Sequence, residues 1–274
     1  MTEQNCEICA FNNPKVTVTA IIIKDNKLLL LKRNKDPFKG KWDLPGGFLN
    51  QNEQPSDGLK RELKEELNIE VTSLNFINTF PGNYTWKERT VPVSDHFYLT
   101  DIQGDIKLDD ENSEFQFVNL KDISIEDIAF ENSKEMIKYL QKDFAFDLNR
   151  VKELVAQLDP SAVVKEQSIY KAILDGFIAK KYDGEKLIGM GWIFPRQTLL
   201  RRQAVVEDMI VDPEYRGKGY GEEILLQLLE WAKKEGMNTV ELTTNPQRLA
   251  ANSLYQKVGF KIHPTNHYLY FINE

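Results

Sequence analysis

The chain has 274 residues, enough for two domains at roughly 100–200 residues each. Hydrophobic residues make up 41% and charged residues 28%, with a formal net charge of −7. These are ordinary globular values; they exclude wholesale disorder and argue against general nucleic-acid binding. No stretch approaches ~18 consecutive apolar residues, so no membrane span is expected. Two cysteines make no disulfide framework, and Met1–Phe11 is unlike a secretory leader, so the expected location is cytoplasmic.

Charge is uneven along the chain. Residues 1–145 carry 18 Lys/Arg against 25 Asp/Glu, whereas residues 146–274 carry 17 of each. All the excess acid lies in the first half, where it could hold a divalent cation.

In chain order, Val16–Lys24 and Lys27–Arg33 read as a hairpin broken at Asp25-Asn26. A Pro/Gly/Lys-rich loop, Asp36–Gly47, precedes a helix that starts at Pro55 and runs to about Leu67. Strands are expected at Glu70–Phe80, Thr90–Thr100 and Phe115–Val118, and a helix at Ser133–Gln141. Lys142–Asn149 reads as a stiff junction. Helical patterns follow at Arg150–Leu158 and Glu166–Leu174. A hairpin then turns at Asp183-Gly184, joining Gly176–Lys181 to Lys186–Phe194. The rest reads as a strand at Ala204–Val211, a helix at Gly221–Lys234, a strand at Val240–Thr244, a helix at Leu249–Val258 and a closing strand near His267–Ile272.

Within the helix at 55–67, Glu62, Glu65 and Glu66 have i, i+3, i+4 spacing and share roughly a 100° arc. Leu59, Leu63 and Leu67 form the neighbouring apolar stripe, so the carboxylates stand at the edge of the core. Taken alone this is as easily a solvated acidic face. Like charges at these spacings cost ~0.2–0.5 kcal/mol per pair, however, and anions near a helix C-terminus oppose the dipole. A hard cation removes both costs.

The stretch Gly47–Ile69 resembles the Nudix box, G-x5-E-x7-R-E-U-x-E-E-x-G-U with U aliphatic. Gly47, Glu53, Arg61, Glu62, Leu63, Glu65, Glu66 and Ile69 fall in register; Asn68 replaces the second glycine, at a position expected to end the helix in a left-handed conformation. The resemblance implies hydrolysis of a nucleoside diphosphate linked to another group. It further implies Mg²⁺ (or Mn²⁺) on Glu62, Glu65 and Glu66 with support from Glu53, one carboxylate acting as base, and Arg61 orienting the glutamates. Glu111 and Glu114 are candidate bases outside the box, or ordinary loop charges. Tyr84 and Trp86 either stack a base or pack. The lead-in to Trp42–Phe48 resembles a Nudix subgroup that often carries a zinc ribbon. With one Cys pair, Cys6 and Cys9, the expectation is a decayed ribbon without metal.

In the second half, Arg216-Gly217-Lys218-Gly219-Tyr220-Gly221 follows an apolar strand and opens an amphipathic helix. Glycines, loop amides and a helix N-terminus suit a phosphate, although a lone Gly-rich turn is weak evidence. The run resembles the R/Q-x-x-G-x-G/A pyrophosphate loop of GNAT acetyltransferases. Ala251–Phe260 resembles that family's later A-x-x-L-Y-x-K-x-G-F motif. The pair implies acetyl-CoA binding by Met209, Ile210, Val211, residues 216–221 and Asn252. Tyr255 is implied as general acid for the departing thiolate, and Glu207 (or Asp208) as base toward an amine. Arg248 stands where many members have Asn, and the fold's usual first strand has only Lys142–Asp147 to supply it.

Together the resemblances imply an α/β chain of α+β type: an N-terminal Nudix α/β/α sandwich over 1–143, then a C-terminal GNAT mixed-sheet acetyltransferase fold over 144–274. The expected protein is bifunctional, a metal-dependent hydrolase of a nucleotide-type small molecule and an N-acetyltransferase favouring a small amine acceptor. The alternative is an acetyltransferase regulated by a silent nucleotide-sensing Nudix half.

Overall fold

The computed structural model describes residues 13–268, 270 and 272; Cys6 and Cys9 lie outside the described residues. The chain divides into two compact units. One runs up to Val151 and includes Val164–Leu174; the other comprises Lys152–Val163 and the residues from Asp175 onward. Among the described residues no helix is long and apolar enough to cross a membrane.

The first unit begins with β1 (Lys15–Ile21), β2 (Ile23–Lys24), β3 (Lys27–Arg33), β4 (Trp42–Asp43) and β5 (Gly46–Phe48). Helix α1 (Pro55–Leu67) follows, then the long strands β6 (Glu70–Trp86) and β7 (Arg89–Gln103), β8 (Asn112–Asn119) and helix α2 (Glu131–Asp143). One sheet has the order β5-β1-β7-β6, in which β1 and β7 are parallel and the other pairs antiparallel. The second sheet pairs β3 with β2, β4 and β8.

Helix α1 forms where the sequence predicts it. Pro55 sits at its first turn, where a missing N–H costs nothing, and Asn68 ends it at φ 53°, ψ 32°. Leu59, Leu63 and Leu67 are fully buried against Val18, Ala20, Leu29 and Leu31. Each contributes about 1.5–3 kcal/mol by leaving water, which fixes the rotation of the helix and therefore the edge along which its glutamates stand.

Helices α3 (Leu148–Val155) and α4 (Glu166–Asp175) lead toward the second unit. Lys142–Asp147 is not a strand: it covers the end of α2 and the approach to α3. Phe144 and Phe146 there pack against Tyr170 of α4, with Phe144 stacked at 5.5 Å. Burying three aromatic rings outweighs adding an edge strand.

The second unit contains β9 (Phe177–Asp183), β10 (Lys186–Gln197), β11 (Arg202–Val211), helix α5 (Tyr220–Lys234), β12 (Thr239–Leu242) and helix α6 (Leu249–Val258). Its sheet order is β12-β11-β10-β9, with β11 and β12 parallel. Ile224 and Leu228 of α5 pack on Ala179, Ile193, Ala204 and Val206. The expected closing strand near His267–Ile272 is corrected: its described residues are in no strand, and Tyr268, Tyr270 and Ile272 are exposed. Alternating aromatics suggest a strand, but a strand needs a partner ladder, and none of the described residues supplies one.

Candidate functional site

The acidic helix edge of α1 faces β5. Gly46 lies at φ 151°, and a side chain there would strike the Val18 carbonyl oxygen at 2.1 Å. At Gly47 an added Cβ would meet the Glu62 carboxylate at 2.5 Å. The two glycines let this strand pass directly over the glutamates. The Gly46 N–H donates to Glu66 Oε2 at 3.1 Å.

Arg61 organises the rest. Its Nε and one terminal nitrogen donate to the two oxygens of Glu53, both at 2.8 Å. Its other terminal nitrogen reaches Glu62 at 2.8 Å and Glu65 at 3.1 Å. The bidentate grip, with the Asn50 N–H, lowers the Glu53 pKa to about 2. Burial raises the pKa of Glu62 despite Arg61. Burial also pushes Glu66 well above the usual carboxylate range, and Glu62, Asp109 and Asp43 add like charge, against a single opposing N–H from Gly46.

Part of this cluster borders a cavity of about 370 Å³. Arg61, Glu62, Glu66 and Glu111 line it; Glu53, Glu65 and Glu114 do not. Glu65 is largely exposed, and Glu114 pairs with Lys32 instead. Tyr84 is a wall residue, stacked on Phe130 at 5.7 Å and edge-on to Phe48 at 5.2 Å. Trp86 is exposed at the end of its hairpin, under Lys87. Thr17, Thr19, Asp95 and Asn132 line it as well.

Sequence reasoning missed Asp95. Its signal was present: Val93, Asp95, Phe97 and Leu99 alternate on the buried face of β7, and a carboxylate at an in-phase core position is costly unless it has partners.

A divalent cation fits the donor set. Glu66, a nearly buried carboxylate with one N–H donor, stands beside the carboxylate of Glu62, and a hard cation on these oxygens would offset the burial and like-charge cost that Arg61 leaves. Among the described residues, no three His, Cys, Asp or Glu side chains are already gathered around one point; Arg61 holds Glu62 and Glu65.

In the second unit, β11 carries an extra residue opposite β10. The register shifts between Met190 and Trp192, and Asp208 takes a left-handed φ of 51°. Glu207 lies opposite Trp192. Burial and then Asp208 raise the Glu207 pKa. Past Met209, Ile210 and Val211, the Arg216 Nε donates to the Val211 carbonyl at 2.8 Å, pinning the start of the loop. Gly217 and Gly219 take φ of 76° and 86°, and Gly219 caps α5. Lys218 lies over the Tyr215 ring and Tyr220 under Lys181. Helix α6 abuts the start of α5: the space beside Gly221 is bounded by Leu254, and Lys257 pairs with Glu222. Tyr255 is half-buried, its pKa raised by burial, with Arg248 opposing. The Asn252 amide donates to the carbonyls of Asn245 and Arg248.

The NUDIX domain family model matches residues 13–140, and the Acetyltransferase (GNAT) family model matches residues 135–260. The chain is 36% identical over 131 residues to an ADP-ribose pyrophosphatase of Methanocaldococcus jannaschii, covering 47% of this chain and 75% of that protein. It is 38% identical over 95 residues to an 8-oxo-dGTP diphosphatase of Proteus vulgaris, 34% of this chain and 82% of that one. An uncharacterized N-acetyltransferase of Bacillus subtilis matches at 35% over 89 residues, 32% of this chain and 34% of its own length. The chain belongs to the Nudix family through its first half and carries a GNAT-family N-acetyltransferase domain in its second.

Proposed function

We propose that the protein is a cytoplasmic bifunctional enzyme. Its first half hydrolyses a nucleoside diphosphate-linked compound with Mg²⁺ (or Mn²⁺), and its second half transfers acetyl from acetyl-CoA to a small amine. The two activities divide near residues 143/144, with α4 returning to support the first unit. The observation that carries the hydrolase reading is that Arg61, Glu62 and Glu66 together line a cavity of about 370 Å³. The names of the relatives, an ADP-ribose pyrophosphatase and an 8-oxo-dGTP diphosphatase, support a nucleotide-type substrate.

Glu62, Glu65 and Glu66 would hold the metal, with Glu53 acting through Arg61. When bound, the metal would polarise the pyrophosphate and lower the pKa of the attacking water. Arg61 keeps Glu62 and Glu65 in line, while Glu53 fixes the guanidinium. The Gly46 N–H occupies Glu66 Oε2, leaving Oε1 for a ligand or a proton. Of the two carboxylates outside the box, Glu111 is the better base because it lines the cavity.

In the second half the loop 216–221 and the N-terminus of α5 bind the cofactor's pyrophosphate. Glu207 takes a proton from the acceptor ammonium, directly or through water. The freed amine would attack the thioester carbonyl; as the C–S bond breaks, the Tyr255 hydroxyl would protonate the departing thiolate and recover a proton released by the nitrogen as the amide forms.

The test is phosphate release, after phosphatase coupling, from ADP-ribose, nucleotide sugars, dinucleoside polyphosphates and (deoxy)nucleoside triphosphates with Mg²⁺. Turnover of one class, lost in Glu65→Gln/Glu66→Gln, supports the hydrolase. No turnover, with a nucleotide still raising Tm, transfers the reading to a sensor that regulates the acetyltransferase.

A further inference from the structure

The sheet of the second unit has two faces. Helix α5 packs on one of them, through Ile193, Ala204 and Val206. The alternate residues of β10 and β11 stand on the other. Trp192 and Phe194 are there, two apart on β10, their rings stacked with centroids 4.5 Å apart. Both side chains are only partly buried. Across the strand pair, Glu207 lies opposite Trp192 and Val205 opposite Phe194. Residues directly opposite share a face and hold their Cβ atoms roughly 4.5–5.5 Å apart. A carboxylate therefore stands beside an aromatic pair, on the face away from α5.

That carboxylate is short of partners. Among the described residues Glu207 accepts no hydrogen bond and forms no ion pair. Burial and the like charge of Asp208 act against its ionised form, and His267 opposes them without bonding to it. The arginine further along the same face, Arg196, is taken by Glu241, which also accepts from the Gln203 amide at 3.0 Å. Lys180 has an interaction of its own. A partly buried carboxylate without a partner is costly, and an arriving cation ends that cost. The rings beside it suit the same guest: an indole face attracts a cation within about 6 Å of its centroid, and the rest of its surface packs hydrocarbon.

We infer that the acceptor of the acetyltransferase half is an amine with an apolar body and no carboxylate, its ammonium on Glu207 and its body on Trp192 and Phe194. This rests on the reading of Glu207 as the group that meets the acceptor. An amino acid would bring its carboxylate beside Glu207 and Asp208, where Arg196 is already engaged. A short amine would leave the rings uncovered. A diamine would set a second charge where the rings offer an apolar surface.

The test compares four amines as acceptors for the full chain, read as release of the CoA thiol from acetyl-CoA. Phenethylamine has the apolar body; ethylamine lacks it, phenylalanine adds a carboxylate, and putrescine replaces the ring with a second ammonium. The kcat/KM for phenethylamine should exceed each of the others by about tenfold or more. Trp192→Leu keeps an apolar side chain but removes the indole face. It should narrow the ratio of phenethylamine to ethylamine to within about threefold, mainly through KM. Phe194→Leu should narrow the same ratio. Phenylalanine, putrescine or ethylamine used as well as phenethylamine overturns the inference. So does an unchanged ratio in a folded Trp192→Leu; if that variant does not fold, the order in the unaltered protein and in Phe194→Leu decides. Calorimetric binding of the same amines with CoA present gives a second readout. Phenethylamine binding tightest with no amine acetylated would sink the transferase reading and leave this site standing. Acetylation of all four without preference would do the reverse, and neither binding nor transfer overturns both.

Discussion

Arg61 and Glu53 form a two-point pair, both contacts 2.8 Å, while the remaining guanidinium nitrogen reaches Glu62 and Glu65. Glu53 therefore acts on the site through Arg61. Glu53→Gln should weaken one of the two contacts, remove the charge that anchors the guanidinium and loosen the grip of Arg61 on Glu62 and Glu65. We expect a roughly 10–100-fold fall in hydrolysis, typical of a residue that orients metal ligands, with a weaker apparent affinity for the metal. Full activity in Glu53→Gln would refute this arrangement. Gly47→Ala is the companion variant. Its methyl would displace the Glu62 carboxylate, the movable end of a side chain, so turnover should fall further than Tm does.

Glu166 of α4 accepts the backbone N–H groups of Asp25 and Asn26 at 2.9 and 2.5 Å, and Tyr170 donates to it at 2.7 Å. Asp25 and Asn26 both have positive φ, 51° and 59°, in the tight turn between β2 and β3. Glu166→Ala removes three hydrogen bonds to one carboxylate and leaves the partly buried Tyr170 hydroxyl with a long contact to Asn26. Denaturant unfolding should show a loss of about 1–3 kcal/mol. A fragment ending at residue 143 should be less stable than one ending at 175, because the first lacks Tyr170 and its two phenylalanine neighbours. Equal stability of the two fragments would count against α4 as part of the first unit.

Local signals in the sequence carried most of this fold. Pro55, Asn68, Gly184 and Gly259 each mark an end or a turn by a backbone preference that depends on nearest neighbours, and those elements appear where the pattern puts them. The acidic arc of α1 was legible for the same reason. What escaped was tertiary context or the detailed path of a turn. The allegiance of α4 depends on a carboxylate capping a turn some 140 residues earlier. The engagement of Asn252 with the carbonyls of its own turn depends on how the chain enters α6. Asp95 was visible only as an exception within the alternation of β7, and its partners come from β1 and α2, which no spacing rule connects.

Tyr255 stands on α6, which abuts the start of α5. Tyr255→Phe removes only the hydroxyl. A general acid contributes about 10²–10⁴-fold, so kcat for acetyl transfer should fall by at least tenfold while KM for acetyl-CoA stays within about twofold. A comparable rise in KM would instead make the hydroxyl a cofactor-binding group. Gly219→Ala should do the opposite: φ of 86° strains any side chain at the cap, disturbing the loop and raising KM for acetyl-CoA.

Asp95 also makes stability depend on pH, with a sign opposite to that of a salt-bridged carboxylate. Burial, opposed by the hydrogen bonds from Thr19 and Asn132 and reinforced by the like charge of Asp43, raises its pKa from 3.8 to about 6. The folded state therefore holds the proton more tightly than the unfolded chain. Its contribution is fully present below about pH 4 and is lost as pH rises through about 6. The gap corresponds to about 3 kcal/mol at most. Asp95→Asn removes this dependence, so the difference in Tm between variant and parent should shift in favour of the variant from pH 5 to pH 7.5. A difference that is flat over that range would mean that the carboxylate titrates normally.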